Sequence, residues 1–308
     1  MKYYLTVDGG TTNTRIYLVC DRSVCAVKRL SVGARNGADA LKAALRKGFS
    51  ELLSEHALGE TDVVAILASG MITSEYGLCN LPHLCLPAGL CELHGAMHGM
   101  SFPEITSIPW YFIRGVRSVS AKLDSVDMMR GEETELMGIL ETGESGVLYI
   151  LPGSHSKHIS VDGTGRITSF RTMMSGEFFA AVMQNTILRD AADFDHNVLV
   201  PEKLFFGYDY CRDHGVNESL FKTRILKNIF GATREECYSF LLGVVLCDEV
   251  RAILAAEEDI VVLGGQKQLR EALAAILAKY STKRIVSLSD DAVASSTALG
   301  AVRVFEGE

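Results

Sequence analysis

Asp8-Gly9-Gly10-Thr11-Thr12-Asn13-Thr14 joins two apolar runs, Tyr3 to Val7 and Thr14 to Cys20, and its reading decides the fold. Both runs have strand composition, so the segment between them predicts a hairpin turn at the head of a sheet. Asp-Gly is a strong turn signal on its own. The same residues also suit a phosphate-binding turn. Glycines let the backbone approach a charged ligand and adopt positive φ, and free amides with the Thr11 and Thr12 hydroxyls can donate to phosphate oxygens. Asp8, at the strand end, offers a hard oxygen ligand for Mg²⁺. Asp8, Gly9, Gly10, Thr11, Thr12 and Asn13 are therefore candidate nucleotide and metal contacts. No Gly-Lys-Ser/Thr follows, so the segment is not a P-loop; strand rather than helix follows, so it is not a dinucleotide fingerprint.

Outward from that turn, Val24 to Leu30 reads as a third strand, and Ala38 to His56 as a helix with Leu41, Leu45, Phe49 and Leu52 on one face. Val63 to Leu67 is a further strand. Three strands, a helix and a strand predict a mixed sheet opening on a hairpin, unlike a simple alternating doubly wound domain. The stretch 74–109 is irregular. Tyr111 to Val116 reads as strand and turn, and Gly131 to Leu140 as a short helix whose early Glu132, Glu133 and Glu135 suit a helix N-terminus.

The opening pattern then returns. Gly146 to Leu151 is an apolar strand, Pro152-Gly153-Ser154-His155-Ser156-Lys157 a turn, and His158 to Val161 a strand, with Asp162-Gly163 turning into Arg166 to Phe170. A long helix is expected over Arg234 to Ala256. Asp259 to Leu263 is a strand that passes through Gly264-Gly265 into a helix, Lys267 to Tyr280. Ala292 to Val302 reads as a last helix.

The 308 residues carry a formal net charge of -8, with 48% hydrophobic and 22% charged residues. That balance suits a globular domain pair and disfavours nucleic acid or an anionic membrane as partner. A few local cations can still attract a small anionic substrate. A basic region followed by a long apolar run does not open the chain, so a cytoplasmic location is expected. Eight cysteines are expected as reduced core thiols. Cys79, Cys85 and Cys91, with His83, His94 and His98 among them, lack the tight pairs of a zinc site.

Taken together, the two hydroxyl-bearing hairpin turns and the Gly-Gly turn resemble the actin, sugar-kinase and chaperone-ATPase superfamily. Within it the chain resembles the 2-dehydro-3-deoxygalactonokinase family over nearly its whole length. The resemblance rests on Asp8 to Arg15, Gly70-Met71-Ile72, Asp127-Met128-Met129-Arg130-Gly131-Glu132-Glu133-Thr134, Leu151 to Lys157, and Met174-Ser175-Gly176-Glu177. Gly9 stands where that family commonly has Trp, and Arg114-Gly115-Val116 replaces a commoner Pro-Gly-Leu. The second hairpin also lacks the acidic residue of many superfamily relatives.

The resemblance implies an α/β, two-lobed, actin-like ATPase (ribonuclease H-like) fold with a nucleotide cleft between lobes. The expected lobes are 1–125, with the helix near 292–308 packing back, and 126–291. It further implies a carbohydrate kinase moving the γ-phosphate of ATP, with Mg²⁺, to a hydroxyl of 2-dehydro-3-deoxy-galactonate or a similar 2-keto-3-deoxy sugar acid. The nucleotide contacts would then include Gly153, Ser154, His155, Lys157, Gly264 and Gly265. For the carboxylate that orients or deprotonates the acceptor, Asp127 ranks first and Glu132 second. Arg130 suits bidentate pairing with a substrate carboxylate, alongside Arg15 and Glu177 as substrate contacts. Surface ion pairing for Arg130 and helix capping for Glu177 remain open. So do a kinase of another sugar or amino sugar, a regulatory nucleotide-binding module, and a homo-oligomer.

Overall fold

The computed structural model describes residues 1–140 and 146–308. The chain forms two compact units. The first comprises Met1–Ser145, Asp162–Ser169 and Ser289–Glu308; the second comprises Gly146–Val161 and Phe170–Leu288.

The first unit opens on β1 (Tyr3–Gly9), β2 (Thr14–Cys20) and β3 (Ser23–Leu30), followed by α1 (Ala38–Glu55) and β4 (Val63–Gly70). Next come β5 (Leu84–Cys85), α2 (Leu90–Gly95), β6 (His98–Met100), β7 (Trp110–Phe112), β8 (Val116–Arg117), β9 (Met128–Met129) and α3 (Glu132–Ile139). The main sheet has the order β3-β2-β1-β4-β7-β6, and β5-β8-β9 form a small second sheet. β1 pairs antiparallel with β2 and parallel with β4, whose other neighbour β7 is also parallel. β1 and β4 are almost continuously buried, as strands covered on both faces must be. β3, at the sheet edge, alternates exposed and half-buried residues.

Under this sheet Trp110 is fully buried, stacked on Phe112 at 5.7 Å and edge-on to Phe49 and Phe102. Each such side chain removed from water contributes about 1.5–3 kcal/mol.

The second unit begins with β10 (Val147–Leu151) and β11 (Ser156–Val161), and takes in β12 (Ile167–Met173) from Phe170 on. Helices α4 (Ser175–Asn185), α5 (Pro201–His214), α6 (Val216–Asn228), α7 (Arg234–Val245) and α8 (Cys247–Leu254) follow, then β13 (Ile260–Leu263), α9 (Lys267–Tyr280) and β14 (Arg284–Ser287). Its sheet order is β12-β11-β10-β13-β14. α7 is buried from Cys237 to Val245, and Gly243 lets α5 approach so closely that any Cβ there would overlap Leu204 O.

α10 (Asp290–Glu306) belongs to the first unit and packs on α3. Gly138 lies against Ser296 O and Gly300 against Thr134 O, leaving no room for a Cβ at either position. This glycine-lined contact accounts for a difference from the sequence reading: α3 and the residues from 126 to 140 cluster with the first unit, whereas a lobe boundary was expected at 125. Two other expectations also change. The helix expected over Arg234 to Ala256 is two, divided at Leu246, where ψ is -4°. Of the cysteines, Cys79, Cys211, Cys237 and Cys247 are buried, but Cys25, Cys85 and Cys91 are exposed, because β3 is a sheet edge and β5 and α2 lie at the surface.

Candidate functional site

In the first unit, β1 ends at Asp8 and Gly9, and the turn 10–13 reverses the chain into β2. Gly10 N donates to Asn13 O at 2.9 Å. The carbonyls of Gly10 and Thr11 accept from the Ala34 and Arg35 amides at 3.0 and 2.9 Å, which ties the turn's carbonyls to the protein. Gly33 allows that contact, since a Cβ there would stand 2.6 Å from Thr11 O. Among the described residues the amides of Thr11, Thr12 and Asn13 donate no hydrogen bond, and all three residues are exposed. Gly9 has no room for a side chain: its Cβ would lie 2.7 Å from Ile72 Cβ. A Trp in its place would need a different course for 70–72.

Asp8 receives a hydrogen bond from Arg15 Nη1 at 2.9 Å, and its side chain keeps 22% of its exposure. Burial raises its carboxyl above the usual range; Arg15 opposes that and the charge of Glu132 adds to it. Asp8 and Glu132 are therefore neighbours in field. Arg15, expected at the substrate, is the ion partner of Asp8.

The segment 127–133 forms the next wall. Asp127 Oδ1 accepts from the Met128 amide at 2.7 Å, and the Asp127 amide donates to Ser118 Oγ at 2.6 Å. Glu132 Oε2 accepts from the Arg130 amide at 3.1 Å. Gly131, at φ +116°, lies against Gly70, where a Cβ would stand 3.3 Å from Gly70 Cα. Glu133 is fully buried and folds back on the Gly131 amide at 2.8 and 3.0 Å, also accepting from Thr134 Oγ1. Burial, with the Glu132 charge next in size, pushes its carboxyl up to about 8. Helix-dipole capping alone, the expectation for Glu133, leaves out this burial.

Arg130 Nη1 donates to Thr73 O and Thr73 Oγ1, both at 2.6 Å, and Nη2 donates to Leu81 O at 3.1 Å and lies 3.4 Å from His83 Nδ1. The fork expected at a substrate carboxylate, or in a surface ion pair, here binds the backbone of 73–81 to the start of α3. Thr73, Leu81 and His83 were not legible as its partners. Burial, then the Arg130 and Arg117 charges, push His83 down to about 4.

In the second unit the turn 152–155 joins β10 to β11. Gly153 has open space where a Cβ would be. The N-terminus of α4 lies against this turn: Glu177 N donates to Ser154 O at 3.0 Å, and Gly176 packs on Gly153 O. His155 Nε2 pairs with Glu177 Oε2 at 2.5 Å, both side chains half-exposed. Lys157 is buried and donates through Nζ to His155 O at 3.0 Å.

Behind the same turn lies the strand-to-helix turn at 264–266. Gly264 N donates to Ile150 O at 2.8 Å and Gln266 N to Pro152 O at 2.6 Å. Gly265 adopts φ +64°, any Cβ on it would overlap Pro152 O, and Arg270 Nη1 caps its carbonyl at 2.9 Å. Gly153, Ser154, His155, Lys157, Glu177, Gly264 and Gly265 are thus brought together within this unit.

A family model described as 2-keto-3-deoxy-galactonokinase matches residues 8–299. A Rhizobium meliloti protein provisionally described as a 2-dehydro-3-deoxygalactonokinase is 29% identical over 61% of this chain and 59% of its own length. That match spans less than two thirds of the relative. The Escherichia coli 2-dehydro-3-deoxygalactonokinase is 26% identical over 81% of this chain and 80% of its own. A Sinorhizobium meliloti crystal structure, provisionally described as the same kind of protein, superposes with a TM-score of 0.75 at 24% identity, covering 97% of this chain and 98% of that one. The fold is that of the actin-like ATPases and sugar kinases.

Proposed function

This chain belongs to the 2-keto-3-deoxy-galactonokinase family, a family of carbohydrate kinases, and on that premise we propose that it phosphorylates a hydroxyl of 2-dehydro-3-deoxy-galactonate or a similar 2-keto-3-deoxy sugar acid. The phosphoryl donor in this reading is ATP, and the role is in sugar-acid catabolism in the cytoplasm. The observation that carries it is the turn 10–13: three exposed amides without acceptors stand beside the Asp8 carboxylate.

That donor set fits a magnesium-bound triphosphate. Mg²⁺ is usually held by one or two carboxylates plus phosphate oxygens, and three unpaired amides suit an anion. When bound, ATP supplies the γ-phosphoryl group and the metal neutralises its charge. Asp8 would hold the metal, and the amides of Thr11, Thr12 and Asn13 would orient phosphate oxygens. The second unit carries Ser154 and Lys157 as further phosphate contacts, and Gly264-Gly265 as the turn a nucleoside could approach without meeting a side chain.

Phosphoryl transfer depends chiefly on positioning and charge neutralisation, with a carboxylate orienting or accepting the proton of the attacking hydroxyl. We assign that proton to Glu132 ahead of Asp127. Glu132 shares the electrostatic field of Asp8, and each of the two carboxylates also accepts from a nearby backbone amide. Arg130 positions the loop 73–83 rather than touching substrate, and Glu177 holds His155 over the second turn.

A panel of keto-deoxy sugar acids, neutral sugars and amino sugars, read by ADP release, tests this function. Turnover is expected on a keto-deoxy acid. Turnover confined to a neutral or amino sugar would replace the acceptor, and ATP binding without acceptor-stimulated turnover would make the protein a regulatory module.

A further inference from the structure

Three parallel strands of the first unit, β1, β4 and β7, end at one edge of their sheet. In open α/β sheets that edge is where ligands are held. β1 ends there in Asp8 and Gly9, and β4 in Ser69 and Gly70. The chain leaving β7 continues in register, because Ile113 N donates to Ala68 O at 2.8 Å. Arg114 is the next residue. Gly115 then packs beside the 127–133 segment: a Cβ on it would lie 2.5 Å from Met129 O, 2.8 Å from His83 Cδ2 and 3.2 Å from Arg130 Cα. Arg114 is thus fixed on both sides, between the end of β4 and the Arg130–His83 contact.

Two nearby arginines have partners. Arg15 is paired with Asp8, and Arg130 with Thr73 and Leu81. Arg114 Nε is buried without a hydrogen-bond partner. The group whose ionisation it touches is the buried Cys79 thiol. A buried donor without an acceptor is costly, and a guanidinium fork matches a carboxylate in two parallel bonds. In a chain of net charge -8, Arg114, Arg117 and Arg130 also make this corner locally cationic.

We infer that Arg114 binds the carboxylate of the acceptor and makes this chain prefer an acidic sugar over a neutral one. The inference rests on the sugar-acid kinase reading. It assigns a substrate contact to a position where the sequence departs from the pattern Pro-Gly-Leu, and it frees Arg130 for its backbone role.

Steady-state kinetics of the full-length protein, Arg114→Gln and Arg114→Lys test it, with 2-dehydro-3-deoxy-galactonate and its uncharged methyl ester as acceptors. Arg114→Gln should raise KM for the acid about 10- to 100-fold, the range for losing a hydrogen bond to a charged group. kcat and KM for ATP should stay within about threefold, since the lost contact is uniform binding. Arg114→Lys should recover part of the loss, and the ester should respond little to either change. An unchanged KM for the acid, an equal loss on the ester, or a rise in KM for ATP would each overturn the inference and leave the kinase reading intact. No turnover of any keto-deoxy acid by the unaltered protein would overturn both. Circular dichroism melts of the two variants show whether a loss reflects unfolding; if Gln unfolds the chain, the Lys variant's KM decides.

Discussion

The strands β2-β1-β4-β7 of the first unit and β11-β10-β13-β14 of the second have the same order and sense: an antiparallel hairpin with two parallel neighbours. Each hairpin turn has a glycine-bearing strand end beside it, Gly70 in one unit and Gly264-Gly265 in the other. The side chains differ. The first turn has a carboxylate, Asp8, and amides held outward by the 33–35 segment. The second has no acid at its strand end, a buried Lys157, and a helix N-terminus seated on it. One backbone plan thus appears twice with different charge: the first suits a metal and the developing charge of transfer, the second an anionic ligand held by donors.

Substitutions at the two turns would break that comparison most sharply. Asp8→Asn should lower kcat about 100-fold or more, as when a preorganised group facing transition-state charge is removed. Ser154→Ala, removing one of several donors, should cost less than about 10-fold. Equal losses in a steady-state ADP-release assay would mean that the two turns are not specialised.

Glycines give the next contrast. Gly265→Ala should destabilise the protein by about 2–3 kcal/mol, because it strains a positive φ and meets the Pro152 backbone. Gly153→Ala, with open space at its Cβ, should stay within about 0.5 kcal/mol. Urea unfolding midpoints measure both, and a Gly265 variant as stable as the Gly153 one contradicts the close turn.

A pH-dependent effect concerns Glu133. Its carboxyl is raised in the fold from 4.5 to about 8, so the folded state binds the extra proton. Its stabilising contribution is complete below the unfolded value and is lost as pH rises through about 8, with a slope of up to about 1.4 kcal/mol per pH unit. Glu133→Gln should remove that decline between pH 4.5 and 8, read as melting temperature against pH. An unchanged slope means that the site titrates otherwise.

Much of the fold was legible. Strands β1, β2, β4, β10 and β13 are apolar runs ended by turn residues, and α1 and α9 show helical spacing, so each declares itself locally. β5, β8 and β9 are two residues long and carry no period to read. The doubled sheet plan left no sequence repeat, because a backbone pairing pattern tolerates very different side chains. Of the candidate site, the turn at Asp8 and the Gly264-Gly265 turn were legible from glycine and hydroxyl chemistry. The partners of Arg130 were not: Thr73 and Leu81 meet it through backbone carbonyls, which every residue possesses.

By itself, then, the sequence determined the two hairpins, the helices of clear period and the residue types available for phosphate, since turn chemistry and amphipathic spacing act over a few neighbours. Only the tertiary structure decided that 126–140 joins the first unit, that Arg130 is a brace, that Glu133 holds its proton near neutral pH, and that Arg114 Nε is buried without a hydrogen-bond partner. Those properties depend on what distant segments bring against a side chain. Burial and partner choice are long-range quantities, and no local pattern encodes them.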